Sequence, residues 1–367
     1  MFTSKHYVPV LKWKPAEQQA LEKLGIKEKG LISPLIQLVM PTPKPPKKGE
    51  REKTRNEQLE EVISSFKTKI PKVPEEILKA WGKTPAFLDF SLIYTPALRI
   101  EGLNQILTAG ESLGLFLIPV INLSSDQEIK REASLLAKKH SHGLCLRLVC
   151  ADLEDIEKLS KEIGDFLETS TLTEKDIDLL VDLKDTYENE DKYSKFGDAS
   201  QNIPNLSKWR TFIFASGAFP VDLTDCEVGE NYRKRLDWNN WLSQVHSKTL
   251  KRRPSFADYT IQHPIYRESV RFFAPSASIR YTITDRWLIL RGQKGKSVQY
   301  LANAQLLSQD QKFRKVFCGA NFSFGDAYIV EKGKDLKSKK TGNATNWLTA
   351  GINHHLALTA HQIANLS

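Results

Sequence analysis

An apolar stretch at residues 179–185, LLVDLKD, carries an aspartate and a lysine among its leucines. Side chains alternate along a β-strand, so Asp182 and Lys184 would share one face with Leu180, and the other face would be wholly apolar. A carboxylate beside an ammonium group suits phosphate or carboxylate binding and acid–base chemistry. Charges buried alone are costly, so the two residues need charged partners or water. The stretch therefore predicts a buried strand that ends at a polar site.

Several other apolar stretches repeat this arrangement, with a polar residue near the end of the strand. The candidate ligand-binding residues chosen in this way are Lys12, Lys14, Gln37, Asp89, Asn122, Arg147, Asp182, Lys184, Ser216, Gln262 and His263. If the strand ends meet, Lys12, Arg147 and Lys184 can neutralise Asp89 and Asp182. Two interpretations stay open: an ion-pair network that only closes one end of the fold, and a pocket that binds a ligand. His263, next to a predicted strand end, is the better histidine candidate for acid–base chemistry, and no catalytic residue is assigned.

The elements that must position these residues alternate between strands and helices along the chain. Eight strand–helix steps predict an α/β fold with a closed (β/α)₈ TIM-like barrel, and an open doubly wound sheet is the alternative. No glycine-rich phosphate turn follows any strand, and no cofactor is predicted. The eighth strand is predicted over residues 256–264, and a helix is predicted over residues 231–246.

The longest segments follow predicted strands, which in a barrel places them at the C-terminal face where binding sites are built. We expect one barrel domain over residues 1–367. A basic, proline-rich segment at 41–56 predicts a flexible loop. An insertion at 265–342 carries a hairpin pattern, ASIRYTITDRWLILRGQ at 277–293, before the last helix.

Composition narrows the class of protein. The chain has 367 residues, 40% of them hydrophobic, and a net charge of +9. No apolar run reaches the ~18 residues of a membrane span, and the first residues lack the apolar core of a signal peptide, so a cytoplasmic protein is expected. The positive charge permits a nucleic-acid partner without requiring one.

Metal-binding patterns are weak in this sequence. The four cysteines form no CxxC motif and have no paired histidine spacing, so no metal site is predicted. Adjacent helical residues point about 100° apart, so His354 and His355 are expected to be one buried and one exposed side chain. His140 and His142 flank a predicted turn and are expected to be exposed.

The opening of the chain resembles that of a known family. YVPVLKWKPAEQQALEKL, followed by LISPLIQLVMP, is similar to the start of the Beta protein family, named after the Beta protein of the Gop–Beta–cII locus of a satellite bacteriophage. The resemblance rests on the lysine–tryptophan–lysine strand, the helix with Glu17, Leu21 and Leu24, and the SPLI strand. It implies a prophage-borne or satellite-borne protein that counteracts a toxic product of the same locus, in a system that protects against other phages. The family supplies no catalytic residues that could be carried over.

Two functions follow as hypotheses. In the first, the chain is an antitoxin-like antagonist of a toxic partner encoded in the same locus, with a charged ligand pocket at the barrel mouth. In the second, it is a TIM-barrel enzyme that acts on a phosphorylated or nucleic-acid substrate. The first predicts that substitutions are tolerated at the mouth and not at the partner surface, and the second predicts the reverse.

Overall fold

The computed structural model describes residues 5–41, 43, 51, 53–247, 249–266 and 276–366. Eight parallel strands form a closed barrel. Three further strands form a small antiparallel sheet. In chain order the strands are β1 (Val8–Lys12), β2 (Leu35–Gln37), β3 (Ala86–Asp89), β4 (Leu117–Asn122), β5 (Leu144–Val149), β6 (Ile177–Asp185), β7 (Thr211–Gly217), β8 (Gly229–Lys234), β9 (Ser255–Asp258), β10 (Ile279–Thr282) and β11 (Arg286–Arg291). The barrel order is β1 to β7 and then β9, which pairs with β1, so the predicted (β/α)₈ barrel is confirmed.

Helices surround the barrel and pack on the small sheet. They are α1 (Pro15–Glu22), α2 (Ile26–Lys29), α3 (Arg55–Lys69), α4 (Val73–Ala80), α5 (Pro96–Ser112), α6 (Gln127–His140), α7 (Ile156–Ser170), α8 (Glu190–Ser200), α9 (Leu236–Val245), α10 (Gln299–Gln309), α11 (Phe324–Gly333) and α12 (Ala344–Ala364). Their starts follow local chemistry: Pro15 opens α1, and the hydroxyl of Thr95 accepts a hydrogen bond from the first turn of α5. No helix in the described ranges is long and apolar enough to cross a membrane.

Strand alternation in the barrel separates two apolar cores, and a third lies between the small sheet and α10 and α11. The larger core lies between the outer face of the barrel and its helices. The smaller core fills the barrel and comprises Val8, Val10, Leu35, Phe87, Ile118, Val120, Cys145, Leu180, Ile213, Ala215, Ala257 and Tyr259. The inner positions beyond this apolar filling, toward the C-terminal ends of the strands, carry the polar residues.

The predicted hairpin is confirmed as β10 and β11, with Thr284 and Asp285 in the turn between them. Its partner was not predicted. β8 pairs antiparallel with β11, so the helix predicted over 231–246 is wrong in its first part and begins at Leu236. Pairing with an exposed sheet edge decides the conformation of this polar segment more strongly than its local helix preference does.

Two further expectations concern segments that follow strands. The flexible loop predicted at 41–56 lies mostly on residues outside the described ranges, and α3 already begins at Arg55. The eighth barrel strand ends at Asp258 and does not extend to 264. Thr260 has φ +58°, and its N–H donates to Asp258 Oδ1 at 2.9 Å, which turns the chain out of the sheet. Gln262 and His263 therefore lie in the loop that follows.

The packing of α12 on α11 allows a direct test. A Cβ atom at Gly325 would lie 2.1 Å from the carbonyl oxygen of Ala350, whereas one at Gly164 in α7 would meet no atom within 4 Å. We expect Gly325→Ala to lower the free energy of unfolding by ~1–3 kcal/mol through overpacking. Gly164→Ala should raise it by ~0.5–1 kcal/mol because alanine is the better helix former. Urea denaturation of the two variants checks both signs, and equal midpoints would contradict the close contact between α11 and α12.

Candidate functional site

A buried arginine organises the C-terminal mouth of the barrel. Arg147, on β5, is 1% exposed. Its Nη1 donates to Asp89 Oδ2 at 2.5 Å, its Nε donates to Asp182 Oδ2 at 2.8 Å, and Nη2 also donates to Asp182. Nη2 further donates to the hydroxyl of Tyr259 at 2.9 Å. One guanidinium group thus links β3, β5, β6 and the residue after β9.

The two aspartates have further donors, so their oxygens are well satisfied. Asp89 accepts from Gln37 Nε2 at 2.7 Å and from the hydroxyl of Ser91 at 2.9 Å. Asp182 accepts from Tyr259 OH at 2.6 Å and from the N–H of Lys184 at 2.8 Å. Burial raises the pKa of each carboxyl group, but Arg147 and the hydrogen bonds outweigh it and hold both pKa values below their ordinary range. Burial and the charge of Asp182 raise the pKa of Tyr259, which therefore stays protonated as a donor.

Two lysines lie at the outer edge of this network. Lys12 Nζ and Lys184 Nζ are 5.9 and 5.6 Å from the centroid of the Tyr259 ring. Lys184 Nζ is 3.3 Å from Asp182 Oδ2, and Lys12 Nζ donates to the carbonyl of His263 at 2.6 Å. Burial lowers the pKa of Lys12 to about 8, which Lys14 and Lys184 reinforce and Glu17 opposes. Burial also lowers the pKa of Lys184, against the opposing charge of Asp182.

Two buried acceptor oxygens at the mouth have no hydrogen-bond donor within the described part of the chain. They are Glu17 Oε2 and Gln37 Oε1, on side chains that are each 1% exposed. The other carboxylate oxygen of Glu17 accepts from Gln262 Nε2 at 2.7 Å, and burial raises the pKa of this acid. Buried acceptors are normally satisfied, so these two atoms are positioned to receive donors from a bound molecule.

His263 lies beside Asp185 at the rim of the mouth. Its Nε2 is 3.2 Å from Asp185 Oδ2, and its Nδ1 accepts from the N–H of Ile265 at 3.2 Å. A ring whose Nδ1 accepts a hydrogen bond carries its proton on Nε2, directed at the carboxylate. This arrangement orients the imidazole.

The structure brings together most of the predicted site residues. Gln37, Asp89, Arg147, Asp182 and Lys184 form one connected network. Lys12 lies beside it, near the Tyr259 ring, and donates to the carbonyl of His263, while Gln262 donates to Glu17. Lys14 packs outside it, with Nζ 4.5 Å from the centroid of the Tyr266 ring. Asn122 is level with Arg147 on the neighbouring strand, and its N–H donates to Ser125 Oγ at 3.0 Å.

The prediction that Ser216 faces the barrel interior is wrong. Ala215 is level with Asp182 on the neighbouring strand, and Ile213 and Ala215 belong to the interior core. Ser216 therefore lies on the outer face of β7. Each face of this strand, TFIFASG, carries apolar residues and one hydroxyl residue, so the sequence carries no signal that distinguishes inside from outside.

Sequence reasoning missed Tyr259 and Glu17. Tyr259 lies two residues after Ala257 and therefore on the same inner face, a signal that the overlong eighth strand obscured. Glu17 lies in the first turn of α1, where an acid is also expected simply as a partner of the helix dipole. Its hydrogen-bond partner, Gln262, lies 245 residues away along the chain, so the neighbouring sequence does not reveal the contact.

The family model described as Beta protein matches residues 7–361, nearly the whole chain. The chain belongs to the Beta protein family. The resemblance noted within residues 7–41 thus extends over the barrel and the small sheet and into α12, and the mouth network lies inside the matched range. No curated protein sequence matches this family member significantly.

Among solved structures, one similar chain is the catalytic module of a family 98 glycoside hydrolase from Streptococcus pneumoniae. The two chains are 11% identical, with a TM-score of 0.30, and the match covers 59% of this chain and 38% of that one. A likeness of this size carries no argument about activity.

The Arg147 network makes a stability prediction. Arg147→Leu leaves Asp89 and Asp182 buried without their cation, and we expect a loss of ~3–5 kcal/mol in the free energy of unfolding. The matched control is Arg286→Leu, which removes an exposed ion pair with Asp285 and should move the urea midpoint little. Similar losses in both variants would show that the interior charges do not depend on Arg147.

Proposed function

We propose that this Beta protein family member is an antagonist of a toxic protein encoded in the same locus, and that it acts through an anion-binding pocket at the barrel mouth. The observation that carries the proposal is that the cations at the mouth differ in how fully they are paired with carboxylates. Arg147 is fully engaged by Asp89 and Asp182, whereas Lys12 and Lys184 lie at the outer edge, 5.9 and 5.6 Å from the centroid of the Tyr259 ring.

The donor count supports a phosphate or carboxylate ligand. An ammonium group has three N–H donors. Within the described residues, Lys12 Nζ donates to one carbonyl and Lys184 Nζ has one carboxylate neighbour. The remaining donors can be directed at an anion above the Tyr259 ring. Glu17 Oε2 and Gln37 Oε1 would accept from hydroxyl or amino groups of the same molecule.

The antagonist part of the proposal rests on what the resemblance to the Beta protein implies, namely a protein that counteracts a toxic neighbour. The family match itself covers residues 7–361 and names no activity. An anion pocket suits one form of this role, in which the chain sequesters or removes a phosphorylated or carboxylated product of the toxic partner. In this form substitutions at the mouth abolish antagonism, whereas a tolerant mouth is expected only where antagonism uses a partner surface elsewhere. Direct binding of the partner over the mouth is the other form. Co-purification with the genomic neighbour separates the two, because only the second predicts a stable complex.

A specific observation favours the enzyme as a second candidate. The pKa of Lys12, about 8, lets this lysine lose its proton close to neutral pH. A lysine that is neutral in a fraction of molecules can act as a general base toward a phosphorylated or nucleic-acid substrate. Turnover of such a substrate by the purified chain, abolished by Lys12→Met, would favour this function over simple sequestration.

Anion binding can be measured with inorganic sulfate, which keeps its charge across the relevant pH range. We expect calorimetric titration at pH 7 to show binding that Lys12→Met and Lys184→Met each weaken by roughly 10- to 100-fold, the effect of losing one charge-assisted hydrogen bond of ~1.5–3 kcal/mol. Lys208→Met, at an exposed lysine remote from the site, is the control and should bind as the wild type does. Equal affinities in all four proteins would refute an anion site at the mouth.

The same titration has a defined pH dependence. Lys12 binds the anion only when it is protonated, and its pKa is about 8, so affinity should fall as the pH rises from 7 to 9. In Lys12→Met this fall should be smaller, since only Lys184 and more basic groups still titrate. An affinity that is constant over this range in the wild type would contradict the assigned role of Lys12.

The cellular role is tested by growth in the presence of the toxic neighbour. Wild type and Lys208→Met should restore growth, and the double variant Lys12→Met, Lys184→Met should not, while all three proteins melt at similar temperatures. A double variant that is folded and restores growth fully would show that antagonism does not use the mouth, even if sulfate binding is lost.

A further inference from the structure

Two histidines and a glutamate converge at the opposite end of the barrel from the mouth. His140 is the last residue of α6, His142 precedes β5, and Glu111 lies in the last turn of α5. Ser141, between the histidines, has φ +56°. This left-handed residue reverses the chain, so both imidazoles reach the same point. The expectation that they are exposed is wrong, because the side chains of His140 and His142 are 6% and 14% exposed.

The distances differ from those of ordinary hydrogen bonds. Glu111 Oε2 is 3.6 Å from His140 Nδ1 and 3.5 Å from His142 Nε2, and the three atoms all lie within 4.8 Å of one another. A hydrogen bond would bring such pairs to about 2.7–3.2 Å. Tetrahedral ligands at bond lengths of ~2.0–2.1 Å are separated by roughly 3.3 Å. The two separations between the carboxylate and the imidazoles are therefore close to those of ligand atoms around a common ion.

The surroundings of His142 fix the ring in a ligand-like orientation. Its Nδ1 lies 3.3 Å from the carbonyl oxygen of Leu117, and its ring stacks on Phe116 with centroids 4.1 Å apart. A ring that donates from Nδ1 to a carbonyl presents the lone pair of Nε2 to Glu111 and His140. Metal-binding histidines characteristically hold their second ring nitrogen in this way.

We propose that Glu111, His140 and His142 form a binding site for a divalent transition-metal ion of the zinc type, with water completing the coordination. Two imidazoles and one carboxylate are borderline ligands that suit Zn²⁺ and do not suit Mg²⁺ or Ca²⁺. Glu111 is 47% exposed, so the ion can enter from solvent. The site joins α5 to the turn between α6 and β5 at the N-terminal end of the barrel, where a stabilising role is expected.

The experiment uses the untagged full chain, stripped with a chelator and titrated with Co²⁺ and then Zn²⁺. We expect one equivalent of Co²⁺ to give visible d–d absorption that Zn²⁺ abolishes, and the melting temperature to rise with Zn²⁺ concentration. Glu111→Gln and His142→Gln should each weaken binding by at least tenfold.

The matched control is His246→Gln, at an exposed histidine that follows α9, and it should bind both ions as the wild type does. Glu111→Gln changes a partly exposed side chain, so its melting temperature in chelator should equal that of the wild type. Cobalt spectra and zinc-dependent melting that are the same in Glu111→Gln, His142→Gln and wild type would overturn the site, as would the lack of any metal-dependent change in the wild type.

Discussion

Closing eight parallel strands into a barrel forces the inner side chains at their C-terminal ends into one small volume. Arg147 allows two carboxylates, Asp89 and Asp182, to be buried there because it pairs with both. Transferring two carboxylates and a guanidinium from water is expensive unless each has close partners. The planar fork of the arginine reaches Asp89 on one side and Asp182 on the other, and Gln37, Ser91 and Tyr259 take up the remaining hydrogen bonds. The rest of the mouth is built around this saturated layer.

The pairing of Arg147 with Asp89 and Asp182 determines the properties of the two lysines above them, Lys12 and Lys184. Because Arg147 already pairs with both aspartates, Lys12 and Lys184 are only partly compensated by opposite charge. Their burial therefore lowers the pKa of each. A strongly hydrated lysine must give up part of its water shell on binding an anion, which offsets much of the attraction. A lysine already desolvated by the barrel has little hydration left to lose, so an incoming anion meets a smaller penalty.

Sequence patterns identified site residues on strands where a charged residue interrupts the apolar pattern. They failed on strands that have no such charged residue. Asp89, Arg147 and Asp182 each mark the inner face of their strand, and the structure joins all three. Around Ser216 the two faces of the strand are about equally apolar, and the face that points into the barrel was assigned wrongly. Tyr259 was missed because Thr260, in the left-handed conformation, ends the strand early. A threonine does not signal such a turn, which glycine or asparagine usually marks. His354 and His355, expected to differ in exposure, are both buried because Asp326 and Asp258 reach them from distant elements.

His355, on α12, connects an outer helix to the mouth through Asp258. Asp258 lies on the outer face of β9, next to the inward-facing Tyr259. It accepts from Tyr7 OH at 2.5 Å, lies 2.8 Å from His355 Nε2, and accepts from the N–H of Thr260 at 2.9 Å. These contacts hold the chain in its left-handed turn at Thr260, and the turn fixes the direction of the Tyr259 side chain. The Tyr259 ring, which lies close to both Lys12 and Lys184, is therefore positioned in part by a helix on the other side of the barrel wall. The family match reaches residue 361 in α12 and includes these contacts.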